Sequence, residues 1–151
     1  MARPKPNPLF QWQPAVPFLL MITFFISQLI HPSHCDIGTA AQYSPPYLPT
    51  ACYREDTSQF PSDNLFAAAG EGIWDNKAAC GRQYSVRCIS SSVAGACNPD
   101  QIIQVKIVDY APSLPSPPSA SGTTIVLSEI AFGSIADPST APASINIEFQ
   151  Q

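Results

Sequence analysis

QIIQVKIVDY, residues 101–110, alternates in a way that only a β-strand satisfies. Ile103, Val105 and Ile107 fall on one face, and Ile102, Gln104, Lys106 and Val108 on the other, the period of two that a pleated strand imposes. Upstream, YSVRCIS (84–90) repeats the pattern with Val86 and Cys88 on one face. Downstream, APSLPSPPSASG (111–122) carries Pro112, Pro115, Pro117 and Pro118. It cannot build a ladder and is expected to be an exposed, partly polyproline segment. TTIVL (123–127) resumes a strand, Ser128 is a good N-cap for a short helix over EIAFGSIA, and Asp137-Pro138 stops it. INIEFQ (145–150) is a last alternating strand. Toward the N-terminus, LFAAAGEGIWDN (65–76) starts as a strand or one helical turn and is broken by Gly70 and Gly72. Residues 46–63 are read as loop, and GTAAQYS (38–44) as a first strand ended by Pro45-Pro46. The expectation is an all-β barrel or sandwich with one short helix.

The 151-residue chain has room for one modest domain. Its first 35 residues differ from the rest: Arg3 and Lys5 are their only Lys or Arg, and all 11 acidic residues lie from Asp36 onward. AVPFLLMITFFISQLI (15–30) is an uncharged run of 16 residues. A basic start, an apolar run and small residues ahead of a polar segment describe a secretory signal peptide. The run is shorter than the roughly 20 apolar residues that span a bilayer. The expected division is a signal peptide over 1–35 and a domain over 36–151. An uncleaved signal anchor is the alternative to a cleaved leader, and cleavage one or two residues early keeps Cys35 as a reactive or intermolecular thiol. Cleavage after Cys35 removes His31, His34 and Cys35, and leaves Cys52, Cys80, Cys88 and Cys97. An even set in a short exported chain reads as two disulfides. Cys88 and Cys97 flank a turn-rich loop and form the local pair; Cys52 and Cys80 then close the longer one. The remaining region holds five basic and 11 acidic side chains, a net charge of −6. That excludes a nucleic-acid footprint and a membrane-seeking basic patch.

Catalytic chemistry finds few residues to work with. A glycosidase needs two positioned carboxylates. Asp109, at the end of the best strand, could be one, or could be a carboxylate satisfied by neighbouring backbone N–H groups. With both histidines in the leader, a serine or cysteine nucleophile lacks its usual base. The four cysteines are better used as disulfides than as zinc ligands. No catalytic residue, metal or cofactor is assigned, and the domain is taken to be a monomer.

Read together, GTAAQYSPPYLPTACY, AAAGEGIWDNKAACGRQYSVRC, VKIVDYAP, LSEIAFGSIADP and INIEFQQ resemble the full length of EG45-like domain proteins and plant natriuretic peptides. WDNKAACGRQYSVRC (74–88) is the most specific piece. More distant relatives are expansin domain 1, family-45 endoglucanases and barwin. The resemblance implies a six-stranded double-psi β-barrel. It also exposes departures. Family members usually carry a cysteine directly after VDY and a second before the strand that precedes the helix. Here the first position is Ala111 and the proline-rich loop has no cysteine, so the loop is expected to be looser. The carboxylate position of the polysaccharide-binding relatives is Val126, and the threonine of their TFY motif is Ala41, although Tyr43 keeps the aromatic.

Those departures argue against hydrolysis. The resemblance to natriuretic peptides implies an apoplastic signal in water and solute homeostasis, read by a plasma-membrane receptor. The segment associated with that activity maps to Cys52 through Tyr84. Asp75, Asn76, Lys77, Arg82 and Tyr84 are the contact candidates, since arginine and aromatic side chains dominate binding hot spots. The alternative is a wall polysaccharide-binding or barwin-like defence protein. Its groove candidates are Tyr43, Asp109 and Tyr110, with Trp74 and Tyr84 as further aromatics; Trp74 is read as core-facing.

Overall fold

The computed structural model describes Met1 and residues 35–151. The expected signal peptide lies almost wholly outside the described residues. Six strands form the barrel: β1 (Asp36–Tyr43), β2 (Phe66–Ala69), β3 (Gln83–Ser90), β4 (Ile103–Tyr110), β5 (Ile125–Ser128) and β6 (Ile145–Gln150). They close in the order β1-β5-β2-β4-β3-β6. Pairs β1–β5 and β2–β4 are parallel, and the other four are antiparallel. Helix α1 (Glu71–Trp74) is a single turn after β2, so the 65–76 segment is a strand and then a turn of helix. Helix α2 (Glu129–Ile135) starts on Ser128, whose Oγ accepts from the Ala131 N–H at 3.2 Å.

Burial explains which strands alternate in sequence and which do not. β3 has antiparallel neighbours only, and its side chains alternate between solvent and core. β2 and β5 each make one parallel pairing and are buried at every position. Strands covered on both faces read as continuous apolar runs, which is what FAAA and IVLS are. The inner core holds Val86, Val105, Ile107, Ile125, Leu127, Ile145 and Ile147, closed at one end by Phe132 and Ile135 of α2. A second core lies on the outside of β1, β5, β2 and β4. There Ala41, Tyr43, Phe66, Ala68, Val108 and Val126 are covered by Tyr47, Tyr53 and Phe60 from the 44–65 loop and by Leu114 and Ala120 from the proline-rich loop.

Both disulfides form, Cys52–Cys80 and Cys88–Cys97. The 46–63 stretch is more ordered than a plain loop. Thr50 and Arg54 exchange two backbone hydrogen bonds of 2.9 Å, and residues 57–59 make a 3₁₀ turn capped by Asp56. Lys106 ties it down, donating to the Gln59 carbonyl at 2.7 Å with its ammonium 5.2 Å from the Tyr53 ring centre.

Candidate functional site

Two places on this scaffold gather the residues singled out by sequence. The first is the connection from β2 to β3. Gly70 opens it by donating to the Thr124 carbonyl at 2.9 Å, and a Cβ there would lie 2.1 Å from the Thr123 carbonyl oxygen, so only glycine fits. After α1, Asp75, Asn76 and Lys77 take φ values of 48°, 48° and 75°. A run of three left-handed non-glycine residues is sterically costly, and Asp and Asn are the types that tolerate it best. The turn is braced from several sides. Ala78 donates to the Asp75 carbonyl at 2.9 Å and Cys80 to that of Lys77 at 3.0 Å. Cys80 is bonded to Cys52, and Gly81, at φ 80°, donates to the Ile107 carbonyl at 2.8 Å. Arg82 reaches back to Asp75 at 3.2 Å. Asp75, Asn76 and Lys77 are exposed and Arg82 is half-buried.

Tyr84 does not join them. It is 5 % exposed and its ring meets Phe149 edge-on, 5.9 Å between centres. The alternation of β3 that placed Val86 and Cys88 inside places Tyr84 inside as well, which removes it from any surface contact. Trp74 packs against the inner core, as expected. It is half-buried and stacks on Tyr110, with ring centres 4.7 Å apart and planes 23° from parallel.

The second place is a row across four strands. Ala41 is registered with Val126, Val126 with Ala68, and Ala68 with Asp109. A shift of register between Ala67 and Ala68 leaves Val108 as the extra residue of β4, beside Asp109. None of these residues is more than 1 % exposed. Asp109 accepts from the Ala51 N–H at 2.7 Å and the Tyr110 N–H at 2.8 Å through Oδ1, while Oδ2 and the nearby Tyr43 hydroxyl are buried without a protein partner. Burial pushes the Asp109 carboxyl above its usual range, and the two N–H bonds offset only part of that. Burial first, and the Asp109 charge second, raise the Tyr43 phenol. Tyr43 and Asp109 are therefore sealed beneath the loops and do not line an open groove; only Tyr110 reaches the surface. Sequence could not show this, because the strand pattern does not set how the 44–65 and proline-rich loops fold back over these positions.

Beside the row opens a cleft of about 680 Å³, lined among others by Glu71, Gly72, Pro112, Pro118, Thr123 and Val126. Thr123 is 7 % exposed and its hydroxyl finds no partner among the described residues. Gly70, Gly72 and Thr123 signalled only a break and a strand start in the sequence. The proline-rich loop that forms one wall is pinned at intervals. Ser116 turns inward and donates to the Ser44 carbonyl, and Ser119 donates through N to Gln42 and through Oγ to Ala143, each at 2.7 Å. Among the described residues no group of three or more His, Cys, Asp or Glu could hold a metal.

Comparison with known proteins sets this geometry in a family. A double-psi β-barrel family model described as lytic transglycolase matches residues 66–147. An EG45-like domain containing protein of Citrus jambhiri is 34 % identical over 137 residues, covering 88 % of this chain and 94 % of the relative. EG45-like domain containing protein 2 of Arabidopsis thaliana is 33 % identical over 98 residues, covering 64 % and 71 %. The crystal structure of a mutant Clavibacter michiganensis expansin in complex with cellohexaose superimposes with a TM-score of 0.56 at 20 % identity, over 78 % of this chain and 50 % of that one. The chain thus spans half the length of that expansin, whose likeness carries the double-psi fold. By barrel, disulfides and sequence together, the chain belongs to the EG45-like domain family.

Proposed function

We propose that this protein is an exported, non-hydrolytic recognition domain of the plant apoplast, acting in water and solute homeostasis through a plasma-membrane receptor. Its contact surface is the turn carrying Asp75, Asn76, Lys77 and Arg82. The observation that carries this reading is the turn itself: three consecutive exposed side chains held at positive φ and braced by Cys52–Cys80. Strained backbone persists only where the surroundings over-determine it, and such sites cluster at recognition and switch segments. A pre-ordered loop also loses less entropy on binding.

The description of the matching family model names a lytic activity. Such chemistry needs an acid within reach of the substrate. Here Val126 occupies the carboxylate position of the row, and Asp109 is covered by the Ala51 segment. With Val126 in place of the row's carboxylate and Asp109 covered, the row offers no acid to a bound glycan, and the reading is recognition without cleavage.

The test is saturable binding of labelled, oxidised protein to wall-free protoplasts. Lys77→Ala and Arg82→Ala should each weaken it at least tenfold with disulfides intact; equal affinity in both variants and the parent refutes the contact surface. A second reading, wall glycan binding, is favoured by the Trp74–Tyr110 stack beside the cleft, since aromatic faces stack on sugars. Retention on cellulose or chitin that is lost in Trp74→Ala would decide for it.

A further inference from the structure

We infer that the proline-rich loop between β4 and β5 is a modification site, with Pro115 and Pro117 converted to 4-hydroxyproline during passage through the secretory route. The inference rests on the proposal that the chain is exported. Four prolines fall within residues 112–118. Pro112, Pro115 and Pro117 are exposed, whereas Ser116 between them is 7 % exposed and bonded inward to the Ser44 carbonyl. That inward anchor turns the two flanking rings to solvent. Leu114, at φ −59° and ψ 138°, already has polyproline II backbone. No backbone–backbone hydrogen bond is made by residues 115–118 among the described residues. Polyproline II has no internal hydrogen bonds, and it is the conformation in which hydroxyproline is built into collagen. An enzyme can therefore reach these two rings without breaking any strand pairing.

Other prolines offer less. Pro138 and Pro99 are exposed but sit in hydrogen-bonded turns, closed by Ala141 N–H to the Asp137 carbonyl at 2.8 Å and by Gln101 N–H to the Asn98 carbonyl at 3.1 Å. The chain has no Asn-x-Ser/Thr site, so any carbohydrate it carries is attached through a hydroxyl oxygen.

The step uses molecular oxygen and a 2-oxo acid. One oxygen atom replaces hydrogen on the proline Cγ, forming the C–O bond and leaving that hydrogen on the new hydroxyl. The other enters the carboxylate formed as the 2-oxo acid loses carbon dioxide. Proline and the oxo acid each give two electrons, and oxygen takes four.

The experiment is peptide mass spectrometry on the full chain expressed with its own leader in plant cells, taken both from the medium and from the cell-retained membrane fraction. Lys106 is the last basic residue, so trypsin releases residues 107–151 as one peptide. The expected result is a gain of one oxygen atom, bare or carrying sugar, at each of Pro115 and Pro117 and none at Pro138. In Pro115→Ala/Pro117→Ala those gains disappear. An unmodified peptide in both pools overturns the inference. A modified peptide confined to the cell-retained pool supports it and counts instead against export.

Discussion

Val126→Asp restores a carboxylate where polysaccharide-binding relatives carry one, and its cost measures whether the row is core or groove. Val126 is 1 % exposed at the inner wall of the cleft, and its row neighbours Ala41 and Ala68 offer no donor. A charged carboxylate there escapes its penalty by protonating. From an ordinary pKa of about 3.9, holding the proton at pH 7 costs about 4 kcal/mol at 1.36 kcal/mol per unit. Lost burial of the valine side chain adds up to about 2 kcal/mol. A total near 5 kcal/mol would consume much of the stability of a domain this size. The variant's carboxyl is raised in the folded state, so its stability falls as pH rises from about 4 toward that raised value, and recovers on acidification. Urea unfolding followed by Trp74 fluorescence, run at several pH values, reads both effects. Val126→Asn supplies the control: destabilised, but without the added pH slope. A Val126→Asp protein within about 1 kcal/mol of the parent, with no new pH dependence, would refute the buried row.

Asp109 carries the same logic in the native chain: because its folded pKa is raised, wild-type stability should decline as pH rises through that value. Asp109→Asn keeps an acceptor for the Ala51 N–H and should abolish that component of the pH profile, read from urea midpoints. Phe66→Ala removes the ring that meets Tyr47 at 4.9 Å and Phe60 at 4.8 Å, and should cost about 3–5 kcal/mol in urea unfolding. Removing Cys52–Cys80, with a separation of 28 residues, should cost about 3.5 kcal/mol. Removing Cys88–Cys97, with a separation of 9, should cost about 2.5 kcal/mol, so the long-loop variant should melt lower in calorimetry.

The strands β3 and β4 were legible from period, the Ser128 cap from residue type, and both disulfide pairs from the even count and spacing of the cysteines. FAAA and IVLS were harder, because a strand buried on both faces loses the alternation that identifies it. What the local sequence does not carry is the second core. Nothing near Ala41 or Val126 announces that Tyr47, Phe60 and Leu114 will cover them, and so Tyr43 and Asp109 read as groove residues. The left-handed turn was equally hidden. Asp75-Asn76 suits positive φ, but Lys77 gives no such sign, and its conformation is set by the Cys52–Cys80 brace and the return to Ile107. Tyr84 lies inside for a simple reason: it shares the phase of β3 with Val86 and Cys88.

The recognition account stands or falls on how wall-free plant protoplasts respond in volume to the purified, oxidised protein. With every wall polysaccharide removed, dose-dependent swelling that is lost on reduction of the disulfides and in Lys77→Ala is the predicted result. An unchanged volume, with both disulfides confirmed and the barrel folded, would contradict it and leave wall glycan as the binding partner to pursue.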